Sequence, residues 1–243
     1  MSTVNPPFKV VYSVSDDLEL VTQTLASIKS LKRFVPKDEI IVFYTPPRSK
    51  KNYEKLSKVS TVVNVPNITE PFVGRNGTKP RRFGEKVHLC EVDFPNIVFL
   101  DADTRVQRDL APLLTGDFDF SARPDLHLHS ADQFDNSVWL EMFKAIGKQA
   151  LLIFNTGFMI FKNYSHTKLF SDWLRYINDE ELPNPSRLGN MKDQYALALA
   201  VAGKNKFKPM TIEQHAFVWD GEENPYSYVV HGRRGPSRFF LRW

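Results

Sequence analysis

Residues 97–103 read Ile-Val-Phe-Leu-Asp-Ala-Asp, four apolar positions running straight into two carboxylates with only Ala102 between them. Two like charges that close repel, and the edge of a core gains nothing from them. A divalent cation held by oxygen ligands resolves the conflict, and such a cation can clamp phosphate groups. Far downstream, His231 follows the apolar run Tyr228-Val229-Val230 and precedes Arg233, Arg234, Arg238 and Arg242. That local basic concentration suits a phosphorylated ligand. Lys86 and Arg82 add positive charge shortly before the carboxylate pair.

The elements that must position these groups alternate. Residues 8–14 are mostly β-branched or aromatic and predict a strand; residues 17–34 show helical spacing through Leu18, Val21, Leu25, Ile28 and Leu31. A strand at 39–45, a helix at 51–59 and a strand at 61–65 continue the order. A helix at 85–92 then leads into a strand at 97–100. Further strands are predicted at 118–122, 152–161 and 227–230, helices at 136–145, 166–178 and 193–202, and a long loop at 180–190. This order predicts an α/β fold with a Rossmann-like, mostly parallel central sheet flanked by helices. Asp101 and Asp103 then sit at the carboxyl end of a strand, where open α/β sheets bind ligands.

With 243 residues, 42% apolar and 25% charged, the chain is long enough for one large core, and residues 1–243 are expected to form a single domain. The lone cysteine, Cys90, excludes an intrachain disulfide framework and predicts a small buried residue in a reducing compartment. Residues 1–10 lack a secretory pattern and nowhere do eighteen apolar residues run together, so a soluble cytoplasmic protein is expected. The net charge of +4 is concentrated in the tail rather than spread over a face, which argues against a nucleic-acid partner. Phe239, Phe240, Leu241 and Trp243 beside those arginines are compatible with peripheral contact at an anionic membrane. An oligomer is compatible with the sequence, as is a catalytic domain cut from a longer polypeptide.

The segment Val98-Phe-Leu-Asp-Ala-Asp-Thr-Arg-Val-Gln-Arg-Asp-Leu-Ala-Pro-Leu-Leu114 resembles the metal-binding motif of GT-A-fold glycosyltransferases, most closely family 8, the glycogenin and bacterial galactosyltransferase group. The resemblance extends from Phe8 to about Arg238 and is specific at five places. It implies Mn²⁺ or Mg²⁺ held by Asp101, Asp103 and His231, with Ala102 between the ligands. Lys86, with Arg82, would approach the donor phosphates. Asn155 and Gly157, in Asn-Thr-Gly, would belong to the sugar pocket, and Asp193 with Gln194 would contact the transferred sugar. Gly235 and Arg238 would bind the diphosphate, although the family's His-x-x-Gly-x-x-Lys-Pro-Trp is altered here. Tyr12, Ser13 and Val14, ending the first strand, would present groups to base and ribose.

The function so implied is metal-dependent transfer of a hexose from a nucleotide-diphosphate sugar, UDP favoured, to an acceptor hydroxyl on a glycan, protein or lipid-linked sugar. Stereochemical retention is expected; inversion would need a carboxylate base, for which Asp125 or Asp193 would serve. Asp125 is also the expected sugar contact in a stretch where His127 and His129 read as loop residues. Structural readings stand beside these: Asn155 and Gly157 as a strand bulge, Asp193 as a helix cap, His231 as a strand-end histidine bonded to backbone. Haloacid-dehalogenase-like phosphatases also end an apolar strand with Asp-x-Asp, the first aspartate being the nucleophile, but a glycine normally follows and Thr104 stands there. A nucleotidyltransferase would want a Gly-rich loop after the first strand, where this chain has Asp16 and Asp17. A binding module without turnover would have no use for two aspartates and a histidine together.

Overall fold

The computed structural model describes residues 6–71, 83–124, 153–178 and 192–232. The first strand, β1 (Lys9–Ser15), sends Val10, Tyr12 and Val14 to one face and Val11 to the other, all buried. Ser13 and Ser15 are left half-buried at its carboxyl end. Asp17 caps the helix that follows, α1 (Leu18–Leu31), its carboxylate accepting from the backbone N–H groups of Glu19 and Leu20. Then come β2 (Ile40–Thr45), α2 (Lys50–Ser57), whose N-cap is Ser49, and β3 (Thr61–Asn64). Asp16 accepts from Tyr44, Ser49 and Asn52, so both acids after β1 are spent on joining strand ends to helix starts.

The predicted helix at 85–92 is a 3₁₀ segment, Phe83–Glu91. Residues 84–90 are all buried, so no solvent face remains for an amphipathic α-helix to present. β4 (Ile97–Leu100) is buried on both faces, as its unbroken apolar run requires, and so is β7 (Phe154–Phe161). Between them lie β5 (Thr104–Val106) and β6 (Phe120–Pro124). After β7 come α3 (Phe170–Asn178), α4 (Lys192–Val201), β8 (Phe207–Pro209), β9 (His215–Phe217) and β10 (Val229–His231).

Seven strands form the main sheet in the order β3-β2-β1-β4-β7-β6-β8. It is parallel except for β7, which runs antiparallel to both β4 and β6. Alternation divides its side chains into two cores: Ile97, Phe99, Met159 and Phe161 face Trp173, Ile177 and the alanines of α4, while Val98, Leu100, Phe158 and Ile160 face Val21, Ile28 and Leu31 of α1. A smaller sheet, β5-β10-β9, pairs β10 antiparallel with β5 and parallel with β9. β5, β8 and β9 have three residues each, too short to leave a periodic signal in the sequence.

The two sheets are tied by a buried polar chain. Tyr12 Oη lies 2.9 Å from Ser27 Oγ, Ser27 Oγ lies 3.0 Å from Thr104 Oγ1, and Thr104 Oγ1 donates to the Asp101 carbonyl at 2.7 Å. Burial raises the Tyr12 phenol well above its usual pKa, so it remains a neutral link. Tyr12→Phe is expected to lower unfolding free energy by about 1 kcal/mol, the worth of one neutral buried hydrogen bond, in urea titration.

Candidate functional site

The carboxylate pair is placed by a turn that continues from β4. The Asp101 N–H extends the β4–β7 ladder by one bond, to Gly157 O at 2.8 Å, and the Thr104 N–H then returns to Asp101 O at 3.2 Å. The chain thereby reverses within four residues and enters β5 of the second sheet. β10 pairs beside it with His231 opposite Thr104, and the Gly232 N–H reaches Asp103 O at 3.1 Å. His231 arrives with Nε2 3.3 Å from Asp103 Oδ1 and 3.9 Å from Asp101 Oδ2. One ligand atom from each of the three residues lies within 4.8 Å of the others.

Gly157 makes this approach possible. A Cβ there would stand 2.0 Å from His231 Cε1, so the ring occupies the space a side chain would need. The register between β6 and β7 jumps between Ala122 and Arg123, and Asn155 Oδ1 accepts the Gly157 N–H at 2.9 Å across this irregularity. Asn155 and Gly157 therefore shape the strand around His231, and neither side chain position borders the open cleft.

Beneath the pair lies Lys86, buried, its ammonium 3.2 Å from Asp101 Oδ1, 2.9 Å from Asp193 Oδ2 and 3.0 Å from Thr156 Oγ1. Thr156 in turn donates to Asp193 Oδ2 at 2.6 Å. Burial by itself would drive Lys86 toward the neutral amine, but the attraction of Asp101 and Asp193 outweighs it and raises its pKa. Burial is also the largest influence on Asp101 and raises its pKa, against the pull of Lys86 and His231. For His231, burial acts downward, while Asp103 and Asp101 raise it further than burial lowers it. Among the described residues the cluster gathers three carboxylates, Asp101, Asp103 and Asp193, with one lysine and one histidine. Two carboxylate oxygens and an imidazole nitrogen are a donor set that Mn²⁺ accepts readily, with Mg²⁺ suited to the oxygens.

The ligand atoms open onto a cleft of about 330 Å³. Ser13 and Ser15 of β1, Thr45 of β2, Glu19, Leu20 and Gln23 of α1, and Lys86, Ala102, Trp219 and Gly232 line it with the two aspartates. Of the first-strand residues expected to present backbone and side-chain groups to the nucleotide, Tyr12 and Val14 have their side chains turned into the core by strand alternation, which leaves them their backbone groups, and the Ser13 side chain faces the cleft. Asp193 lies in the first turn of α4 and Gln194 follows it; Asp193 Oδ1 and Gln194 Oε1 are buried without hydrogen-bond partners among the described residues, and neither residue lines the cleft. Arg82, Asp125, His127, His129, Gly235, Arg238 and the basic, aromatic tail lie outside the described residues.

Three further residues at this site escaped the sequence reading. Thr156 lies inside the Asn-Thr-Gly run, where only its neighbours drew attention. Trp219 is 52% exposed, stacks on Phe217 at 4.7 Å and fills the space a Gly232 Cβ would need. His215 is buried beside His231; burial lowers its pKa well below the ordinary value, and His231 and Arg123 lower it further. The chain's six histidines were the one available signal for it.

Two substitutions test this geometry. Lys86→Met leaves Asp193 buried beside an apolar group and is expected to cost about 3–5 kcal/mol of stability, part of it recovered by adding Asp193→Asn, in denaturant titrations of the single and double variants. Gly157→Ala displaces the His231 ring; it should cost about 1–3 kcal/mol and abolish calorimetrically detectable Mn²⁺ uptake, while a variant that binds Mn²⁺ normally would contradict the packing described.

Comparison with known proteins accords with this arrangement. The sequence model of the nucleotide-diphospho-sugar transferase family matches residues 88–231, more than half of the chain and inclusive of Asp101, Asp103, Asp193 and His231. No curated protein matches by sequence. Among solved structures, an active-site mutant of LgtC superposes with a TM-score of 0.67 at 14% identity, over 97% of this chain and 91% of that one. The galactosyltransferase LgtC with donor and acceptor sugar analogues gives 0.62 at 14% identity, over 95% and 88%. Mouse xyloside xylosyltransferase 1 gives 0.51 at 12% identity, over 93% and 97%. The chain therefore belongs to the nucleotide-diphospho-sugar transferase family and is a glycosyltransferase of the GT-A fold, similar to the family 8 enzymes.

Proposed function

We propose that this glycosyltransferase is metal-dependent, takes a hexose from a UDP-sugar, and passes it to an acceptor hydroxyl with retention of configuration. The observation that carries the reading is the convergence of Asp101, Asp103 and His231 within 4.8 Å at the mouth of a cleft. A bound Mn²⁺ or Mg²⁺ would supply Lewis-acid stabilisation to the departing diphosphate. Asp101, Asp103 and His231 would hold it. Lys86 favours the ionised form of Asp101 against burial and orients that carboxylate, and as a residue lining the cleft it is assigned to the donor phosphates on the family resemblance. Ser13, with Ser15 and Thr45, supplies hydroxyls to the nucleoside end of the cleft, and Ala102 allows the diphosphate close approach. Arg82, Gly235 and Arg238 are assigned to the phosphates on the family resemblance.

Retention is favoured by the state of Asp193. Its Oδ2 is engaged by both Lys86 and Thr156, which makes it a poor base for an inverting attack. Contact of Asp193 and Gln194 with the transferred sugar is assigned on the family resemblance; their Oδ1 and Oε1 lie buried behind the cleft without a hydrogen-bond partner among the described residues. Membership of the transferase family sets aside the phosphatase reading. No helix among the described residues is long and apolar enough to cross a membrane, and we assign contact with a lipid-linked acceptor, if one is used, to the tail.

The test is calorimetric titration of UDP, and separately GDP, with Mn²⁺ present and with chelator. UDP is expected to bind only with Mn²⁺, and Asp103→Asn to weaken binding by more than ~100-fold, beyond the loss typical of an outer-shell change. UDP binding that is indifferent to chelator would remove metal dependence from the proposal, and preference for GDP would overturn the donor assignment.

A further inference from the structure

His215 lies directly behind the proposed metal ligands, and transfer chemistry does not by itself account for it. It is fully buried on β9, with its Nε2 3.2 Å from Nδ1 of His231. The two rings are tilted by only 11° with centroids 5.3 Å apart. That separation is close to the largest a 3.2 Å nitrogen–nitrogen distance permits between two imidazoles. The hydrogen bond therefore lies near both ring planes, along the lone-pair directions, and is not a by-product of face-to-face stacking.

The slot around His215 is apolar. Phe158 and Phe217 meet its ring edge-on at 5.4 and 4.8 Å. Arg123, which donates to the His215 carbonyl at 2.7 Å and pairs with Glu222, closes it from the backbone side. The remaining ring nitrogen, Nδ1, is buried without a hydrogen-bond partner among the described residues. A phenylalanine would fill this slot with no polar atom to satisfy, so the orphaned nitrogen calls for an explanation in terms of the other one.

Tautomer logic supplies it. For His231 to offer the lone pair of Nε2 to a cation shared with Asp101 and Asp103, its proton must reside on Nδ1, and the group facing Nδ1 is His215 Nε2. We propose that His215 is a positioning residue: by accepting the Nδ1–H of His231 it fixes the tautomer and ring orientation that direct Nε2 at the metal position. Ligating histidines generally give their second N–H to a carboxylate, carbonyl or water, and here an imidazole takes that place. The inference rests on the metal reading above and adds a residue to it.

The experiment is titration of Mn²⁺ alone, followed by electron paramagnetic resonance of the free ion, into wild type, His215→Phe and His215→Gln. Glutamine carries an acceptor oxygen near the Nε2 position; phenylalanine keeps the shape without one. His215→Phe is expected to weaken Mn²⁺ by ~10–100-fold while unfolding no more readily than wild type, and His215→Gln to remain near wild type. A Phe variant that binds as wild type does, or Phe and Gln variants that fall together, would overturn the proposal in favour of packing alone. Nitrogen-15 NMR of Mg²⁺-saturated wild type needs no variant to fold: a proton on Nδ1 of His231 supports the proposal, and a proton on Nε2 refutes it. Wild type that takes up no Mn²⁺ would sink the metal reading and this inference together, whereas uptake unaffected by His215→Phe sinks the inference alone.

Discussion

The buried ammonium of Lys86 is the constraint on which the site depends. It joins four separately built pieces: the 3₁₀ segment that carries it, Asp101 at the end of β4, Thr156 on β7 and Asp193 at the start of α4. A lysine so enclosed is tolerable only with opposite charge at contact distance, and each carboxylate beside it has the same requirement in reverse. The arrangement therefore specifies relative positions more strongly than it adds stability. It also explains why residues 84–90 leave the α-helical path: Glu85 is held by the backbone of Ile68 and Thr69 on one side while Lys86 is held on another.

The second constraint is steric. His231 reaches Asp103 because the small sheet β5-β10-β9 folds over the end of the large one, and because Gly157 leaves a hollow for its ring. The irregular β6–β7 register creates that hollow, and the Asn155 side chain satisfies the N–H exposed by it. The bulge reading of Asn-Thr-Gly thus bears on the acidic cluster, since the strand distortion lets Thr156 and His231 both reach it. The polar chain from Tyr12 through Ser27 and Thr104 to the Asp101 carbonyl holds the same turn from the α1 side.

A glycosyl donor carries its negative charge in the diphosphate, so a cleft that binds it must present compensating charge without filling itself with cations that have no partner. Here the described part of the cleft is acidic below and hydroxyl-rich toward β1, a surface that becomes attractive to a diphosphate once a divalent cation is present. On the proposed metal-dependent reading, nucleotide affinity and metal affinity would be expressions of one electrostatic balance.

By itself, the sequence determined the α/β order, the buried strand Ile97–Leu100 with its carboxylates at the carboxyl end, and the three residues that converge there, because long apolar runs and charges at their ends are local patterns. The likeness to a known family linked His231 to Asp101 across 130 residues, which periodicity could not do. Only the tertiary structure decided that Tyr12 and Val14 face the core while Ser13 faces the cleft, since a period of two does not say which side is which until the helices dock. It alone decided that Lys86 is committed to Asp101 and Asp193, and that His215 stands behind His231 on a three-residue strand. Such contacts join residues distant in the chain through short elements, and their energies come from burial and proximity that no local pattern records.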